Sequence, residues 1–128
     1  MWDASLYLRF GGERARPFLD LLARVGAELP AFVVDMGCGP GNLTALLAER
    51  WPAAAVCGVD SSPQMIEAAS APGLSFVLDD IRHWEPQGVP DVIVCNAVLQ
   101  WVPGHRELLL RWASWLQGDG WLAFQVPG

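Results

Sequence analysis

The feature that most restricts the fold is a series of five short apolar runs, each of strand length, separated by stretches with helical spacing. The runs are 31–35 (AFVVD), 55–60 (AVCGVD), 74–78 (LSFVL), 91–96 (DVIVCN) and 120–126 (GWLAFQV). They are apolar at consecutive rather than alternate positions, so both faces of each strand have to be covered. Ahead of the first run, Phe18, Leu21, Leu22 and Val25 recur at i, i+3, i+4 and i+7 in a helix that starts at about Glu13 and closes near Gly26. Leu43, Leu46 and Leu47 mark a helix over 43–50. Ser62 offers a side-chain cap and Pro63 a first helical residue for another, running to about Ser70. Leu108, Leu109, Trp112, Trp115 and Leu116 form the apolar face of a helix that ends at Gly118. Strands and helices in alternation build parallel βαβ units with right-handed crossovers. The expected fold is therefore α/β, a doubly wound, Rossmann-like parallel sheet with strand order 3-2-1-4-5. In such a sheet the chain reverses direction between strands one and four, and ligands bind there, outside the carboxyl ends of the strands. The loops at that point are 35–42 and 96–101.

The chain has 128 residues with neither repeats nor a Ser/Gly linker, and it reads as one domain over 1–128. Its net charge of -6, with arginine as the only basic residue type, excludes a phosphate backbone as partner; no nucleic acid is expected. Cys38, Cys57 and Cys95 form neither a CxxC pair nor a metal-binding spacing, which points to a reducing, cytoplasmic compartment. Trp2, Asp3, Arg9 and Glu13 break up any leader sequence. No window approaches the ~20 apolar residues of a membrane span.

The first switch-point loop reads Asp35-Met36-Gly37-Cys38-Gly39-Pro40-Gly41-Asn42. Its alternating glycines allow a sharp turn and let a ligand lie on bare main chain. A dinucleotide fingerprint needs its third glycine at position 42, where this chain has Asn42. The carboxylate of Asp35 would repel a pyrophosphate but suits a ligand bearing an ammonium or sulfonium and no phosphate. Asp60, at the end of the second strand, is placed to accept two hydrogen bonds from ribose hydroxyls. Asp79-Asp80-Ile81 ends the third strand, where one carboxylate can accept from an exocyclic amine while the next backbone N–H donates to a ring nitrogen. His83 lies beside this loop with no evident partner.

The array Asp35-x-Gly37-x-Gly39-x-Gly41, then Asp60, then Asp80, resembles the cofactor site of class I S-adenosylmethionine-dependent methyltransferases. The resemblance implies S-adenosylmethionine as cofactor. Gly37 and Gly39 would then lie under its amino-acid part, with Asp35 helping to hold it. Asp60 would hold the ribose, Ser61 and Met65 would flank the adenine, and Asp80 with Ile81 would read the adenine edge. Asn96 would meet the ammonium through its backbone carbonyl. More narrowly, Trp2-Asp3, Tyr7, 14–21, 60–65 and 96–103 resemble trans-aconitate 2-methyltransferases, which esterify one carboxylate of a small tricarboxylic acid.

This narrower likeness implies a small carboxylic acid as methyl acceptor. Such an acceptor has a pKa near ~4 and is already an ionised nucleophile at pH 7. Placement and dryness are then what the protein must supply, and neither a catalytic base nor a metal is expected. Trp2, Tyr7 and Trp101 are candidates to close over the sulfonium and acceptor, and Gln100 to contact the acceptor. Arg9, Arg14, Arg16 and His105 are candidate positive charges, His105 also reading simply as the start of a helix. Trp112 and Trp115 belong to the core, and seven tryptophans exceed what that core needs. Compared with the seven strands of the family, the chain reads as an amino-terminal portion ending after strand five. That leaves strand five as an open apolar edge and a possible surface for self-association. Two other functions fit the same cofactor residues. One is methyl transfer to another small molecule or an acyl carrier; the other is a non-catalytic module that binds the cofactor alone. A nicotinamide dehydrogenase is disfavoured by Asn42.

Overall fold

A computed structural model describes residues 16–69, 73–96 and 98–126. Helix α1 (Arg16–Ala23) leads into strand β1 (Phe32–Met36), helix α2 (Thr44–Arg50), strand β2 (Ala55–Asp60) and helix α3 (Pro63–Ala68). Strands β3 (Leu74–Leu78) and β4 (Val92–Asn96), a single 3₁₀ turn (Leu99–Trp101), helix α4 (His105–Trp115) and strand β5 (Trp121–Gln125) complete the order. The five strands form one sheet in the order β3-β2-β1-β4-β5, with every described pairing parallel, as the sequence pattern predicts.

Side chains alternate across a strand, and this sorts the core into two layers. Val33 of β1 and Val92 and Val94 of β4 face one side, packed with Phe18, Leu19, Leu22, Leu46, Leu47 and Trp51 from α1 and the α2 region. Val34, Met36, Ile93 and Cys95 face the other, packed with Ile81, Trp84, Leu99, Leu108 and Trp112. The same alternation puts Asp35 on the α2 side, among apolar neighbours. Asp35 and Thr44 are the two buried polar residues among those described, and the Thr44 hydroxyl donates to Asp35 Oδ2 at 2.8 Å.

The helices differ from expectation in detail. Leu19, not Leu21, completes the buried stripe of α1, and Leu21 is only partly buried. Helix α3 stops at Ala68, and its cap is as expected: Ser62 Oγ accepts from the Met65 N–H at 3.3 Å, with Pro63 opening the helix. The tryptophans are also more deeply used than their number suggests. Trp51, Trp84 and Trp112 are all buried, and Trp84 meets Trp115 edge-on at 6.2 Å. Polar staples finish the packing. The Arg50 guanidinium donates to the carbonyls of Leu22 and Val25 at the end of α1 and lies over the Trp51 ring. At the amino ends of the strands, Asp91 Oδ2 accepts from Ala31 N–H (2.8 Å) and Phe32 N–H (3.0 Å), joining the start of β1 to that of β4.

Candidate functional site

The switch point is a real opening in the sheet. Strands β1 and β4 stay in register from Val33↔Val92 only as far as Asp35↔Val94. Beyond this, β1 continues with β2 alone to Met36↔Val59, and β4 continues with β5 to Asn96↔Gln125. The glycine loop turns away from β4 toward β2, where the N–H groups of Gly37 (2.7 Å) and Cys38 (3.0 Å) both donate to the Val59 carbonyl. The loop can approach β2 this closely because Gly58 has no side chain; a Cβ there would sit 2.8 Å from that of Cys38. Sequence reading assigned Gly58 no role, and its only signal was a glycine inside an otherwise apolar strand.

The three glycines of the loop do different things. All have positive φ, of 77°, 58° and 86° for Gly37, Gly39 and Gly41. A Cβ on Gly37 would collide with Val98, and one on Gly41 with the ring of Phe76. Gly41 therefore serves packing against β3. Gly39 alone has open space where a side chain would be, though neither it nor Gly41 is among the residues that, with Gly37, line the adjoining cavity.

Asp60 organises the rim. Its Oδ2 accepts from Gly39 N–H and its Oδ1 from Ser62 N–H, both at 2.9 Å, and its carbonyl accepts from Asp79 N–H at 3.0 Å. Each carboxylate oxygen has a second lone pair left for a ligand. After β3, Asp80 closes a turn on itself: its Oδ1 accepts from Arg82 N–H (2.9 Å), and its carboxylate is gripped by the Arg82 guanidinium, with the shortest contact at 2.7 Å. Bonding to Arg82 pulls the Asp80 carboxyl down to about 2. His83, which the sequence left without a partner, has its Nδ1 3.7 Å from Asp80 Oδ2.

These elements enclose a cavity of about 360 Å³ lined by Gly37, Asp60, Ser61, Asp80, Ile81, Arg82, Val98, Trp101 and Val102. Six of these are residues that the sequence singled out. Arg82, Val98 and Val102 were not assigned to the site, although Arg82 directly follows Asp80-Ile81. Buried Leu99 anchors the 3₁₀ turn and leaves Trp101 79% exposed at the cavity mouth.

Several candidates lie elsewhere. Asp35 is buried behind the loop rather than lining the cavity, because strand alternation turns it toward α2. There, burial above all pushes its carboxyl up to about 6, partly offset by the Thr44 hydrogen bond. Met65 is exposed on α3 and does not line the cavity. The Asn96 side chain faces β5, its Oδ1 accepting from Gln125 Nε2 at 2.5 Å. Gln100, Arg16 and His105 are exposed and are not part of the lining; His105 Nδ1 lies 3.3 Å from the Val102 carbonyl. Trp2, Tyr7, Arg9 and Arg14 fall outside the described residues. The three cysteines are free and buried, and burial pushes the thiols of Cys38 and Cys95 up to about 12, far from a reactive range.

Residues 7–128 match the model of a methyltransferase domain family. The chain belongs to that family. It is 56% identical over its whole length to trans-aconitate 2-methyltransferase of Mycobacterium sp. (strain KMS), of which it spans 50%. It is likewise 50% identical to the enzyme of that name from Mycobacterium tuberculosis (strain ATCC 25177 / H37Ra), of which it spans 49%. The chain thus covers about half the length of these curated relatives. Among solved structures, coclaurine N-methyltransferase bound to N-methylheliamine and SAH superposes with a TM-score of 0.75 at 25% identity. That match takes in 88% of this chain and 35% of the other. The class I methyltransferase arrangement expected from the strand order is what the sheet shows.

Proposed function

We propose that this methyltransferase domain binds S-adenosylmethionine in the cavity at the β1–β4 opening and serves an O-methyltransferase that esterifies a small polycarboxylic acid of the trans-aconitate kind. One observation carries the reading: Asp60 joins the open backbone of Gly39 to the end of β2 on a rim that also presents Asp80. The chemistry of this donor set fits the cofactor. Acidic groups and a bare main chain suit a cationic, phosphate-free nucleoside, whereas the dinucleotide pattern is broken at Asn42. The acceptor class rests on the names of the two relatives that match along the whole chain.

When bound, S-adenosylmethionine supplies a methyl group already activated by its sulfonium charge. Asp60 holds the ribose hydroxyls through its remaining lone pairs, and Asp80 meets the exocyclic amine of the adenine. Ile81, Val98 and Val102 exclude water from the cavity walls. Gly37 and Gly39 keep the floor free of side chains beneath the amino-acid part, with Asp35 behind them. The Asn96 carbonyl lies at the end of β4 for the ammonium, and Ser61 and Met65 flank the ring. An ionised carboxylate needs no base, so the acceptor side requires orientation and counter-charge. Trp101 stands at the mouth for this, with Trp2, Tyr7, Arg16 and Gln100 as the further candidates. Among the described residues no helix is long and apolar enough to cross a membrane; a cytoplasmic site of action completes the proposal. Strand β5 pairs with β4 alone among the described strands and exposes Trp121 and Phe124, which supports weak self-association through this edge.

Calorimetry tests the cofactor. S-adenosylhomocysteine should bind the 128-residue chain and NAD should not; the reverse preference would overturn the reading. Labelled cofactor with trans-aconitate then tests transfer. Cofactor binding without ester would favour the non-catalytic module, and an ester formed on a different acid would move the acceptor assignment.

A further inference from the structure

We infer that Arg111, on α4, is a positioning residue that sets the adenine end of the cavity, an inference that rests on reading the cavity as a nucleoside site. The loop after β3 carries three cavity residues, Asp80, Ile81 and Arg82, yet it belongs to no strand. Apart from Asp80 N–H, which donates to Asp79 Oδ1 at 2.7 Å, its internal bonds are accepted by Asp80: the N–H groups of His83 and Trp84 donate to the Asp80 carbonyl, each at 2.9 Å, and that of Arg82 to its carboxylate. Such a turn is rigid within itself, but these bonds do not orient it against the rest of the molecule.

The start of the loop is tied to β2 by Asp79 N–H on the Asp60 carbonyl (3.0 Å), Ile81 and Trp84 are buried in the core, and the stretch from Arg82 to Glu85 is held by α4. Arg111 Nη1 donates to the Arg82 carbonyl at 2.8 Å, and Nη2 donates to Glu85 Oε1 at 2.7 Å. The guanidinium is held over the Trp115 ring, 5.5 Å from its centroid, and Trp115 in turn meets Trp84 of the same loop edge-on. The peptide groups on both sides of Arg82 are therefore fixed, the N–H by Asp80 and the carbonyl by Arg111. Helix α4 also follows directly from the segment bearing Val98, Trp101 and Val102, which lines the same cavity. Arg111 thus ties the loop of the adenine-reading carboxylate to the helix that carries on from the Val98–Val102 segment. A planar guanidinium serves two separated acceptors at once; an ammonium on a flexible stem does so poorly.

The test uses two nucleosides that differ only at the edge Asp80 would read: 5′-methylthioadenosine and 5′-methylthioinosine, which lacks the exocyclic amine. Calorimetry is run with each, alongside thermal melts. Wild type should favour the adenine compound. Arg111→Met should weaken adenine binding roughly five- to tenfold and bring the two affinities together, and Arg111→Lys should fall between. Glu85→Gln loses only the exposed arm of the bridge and should narrow the preference slightly in a folded protein. Arg111→Met and Glu85→Gln proteins that keep the wild-type preference, whatever their melting temperatures, would reduce Arg111 to a brace and overturn the inference. Wild type that binds neither nucleoside would overturn the nucleoside reading itself, and this inference with it.

Discussion

Two hollows of nearly equal size open at opposite ends of the sheet. The one beyond the carboxyl ends measures about 360 Å³, and the one beyond the amino ends, lined by Ala27, Glu28, Leu29, Pro30, Asp91, Gln117 and Asp119, about 350 Å³. Both contain carboxylates, and in both one carboxylate accepts from two backbone N–H groups: Asp60 from Gly39 and Ser62, Asp91 from Ala31 and Phe32. Neither volume nor acidity separates a ligand site from a structural joint. What differs is the backbone to which the carboxylate is tied. Asp91 holds the first residues of a strand whose other bonds are made by the sheet, while Asp60 holds a glycine with nothing above it. Parallel strands that part at their carboxyl ends leave main chain facing solvent; the starts of the same strands are laced together.

The sharpest way to break this contrast is to remove each carboxylate in turn. Asp60→Ala removes the anchor of Gly39 and, on the proposed reading, both carboxylate bonds to the ribose, so affinity for S-adenosylhomocysteine should fall by more than about 10³-fold. Asp91→Ala should lower stability by about 1–2 kcal/mol and leave that affinity unchanged. Calorimetry and denaturant titration on both variants check the pair. Equal losses of affinity would erase the distinction between the two ends.

Next in size is the buried carboxylate that stands behind one hollow and has no counterpart behind the other. Asp35 is protonated up to about pH 6 in the folded chain, against 3.8 as its ordinary value, because burial penalises its charge. The folded pKa is the higher one, so its contribution to stability is fully present below about pH 3.8 and is lost as pH rises through about 6. Between these limits the ionisation costs about 3 kcal/mol. Asp35→Asn, which still accepts from Thr44, should therefore raise the denaturation midpoint much more at pH 7.5 than at pH 4.5. A gain that is the same at both pH values would show that Asp35 does not titrate in this window. Asp80 has the opposite sign: held near 2 by Arg82, its stabilisation is present above the ordinary carboxylate value and is lost as pH falls toward 2.

A smaller effect separates the glycines. Gly37→Ala places a methyl group 2.6 Å from Val98 at a φ of 77° and should cost about 2–3 kcal/mol of stability. Gly39→Ala meets nothing within 4 Å, so only its φ of 58° opposes it, at about 1 kcal/mol, while ligand affinity should drop roughly tenfold. Thermal melts and S-adenosylhomocysteine titration of the two variants give the comparison. Loss of affinity in neither would place the ligand away from the loop.

These glycines also show how far the sequence can be read. Strand order, the Ser62–Pro63 helix start and the shared rim of Asp60 and Asp80 follow from periodicity and connectivity, which are local properties summed along the chain. What could not be read depends on which side chain faces which across the fold. Asp35 looked like a rim residue until strand register turned it toward Thr44, nine residues later in sequence. Gly41 looked equivalent to Gly39 until Phe76, from a strand 35 positions on, filled the space beside it. Arg82 follows a recognised motif, but its ion pair with Asp80 forms only because the turn folds back on itself. Arg111 sits among apolar positions of a helix, and its partners lie 26 and 29 residues earlier. A period of 3.6 marks the buried face of α4 and says nothing about which loop a residue flanking that face will meet.

The smallest effect expected concerns the two edges of the sheet. Strand β3 exposes Ser75 and Leu78, while β5 exposes the larger Trp121 and Phe124, with Val126 just beyond its end. Edge strands carrying large apolar side chains pair with one another more readily than short polar ones. Sedimentation equilibrium should therefore show a mass that rises gradually with concentration, and Phe124→Lys should suppress the rise while shifting the thermal midpoint little, since the side chain is already 43% exposed. Ser75→Lys, on the opposite edge, serves as the control and should leave the association intact. An association that survives Phe124→Lys but is lost with Ser75→Lys would assign the adhesive edge to β3; a mass independent of concentration in wild type would show that neither edge is adhesive.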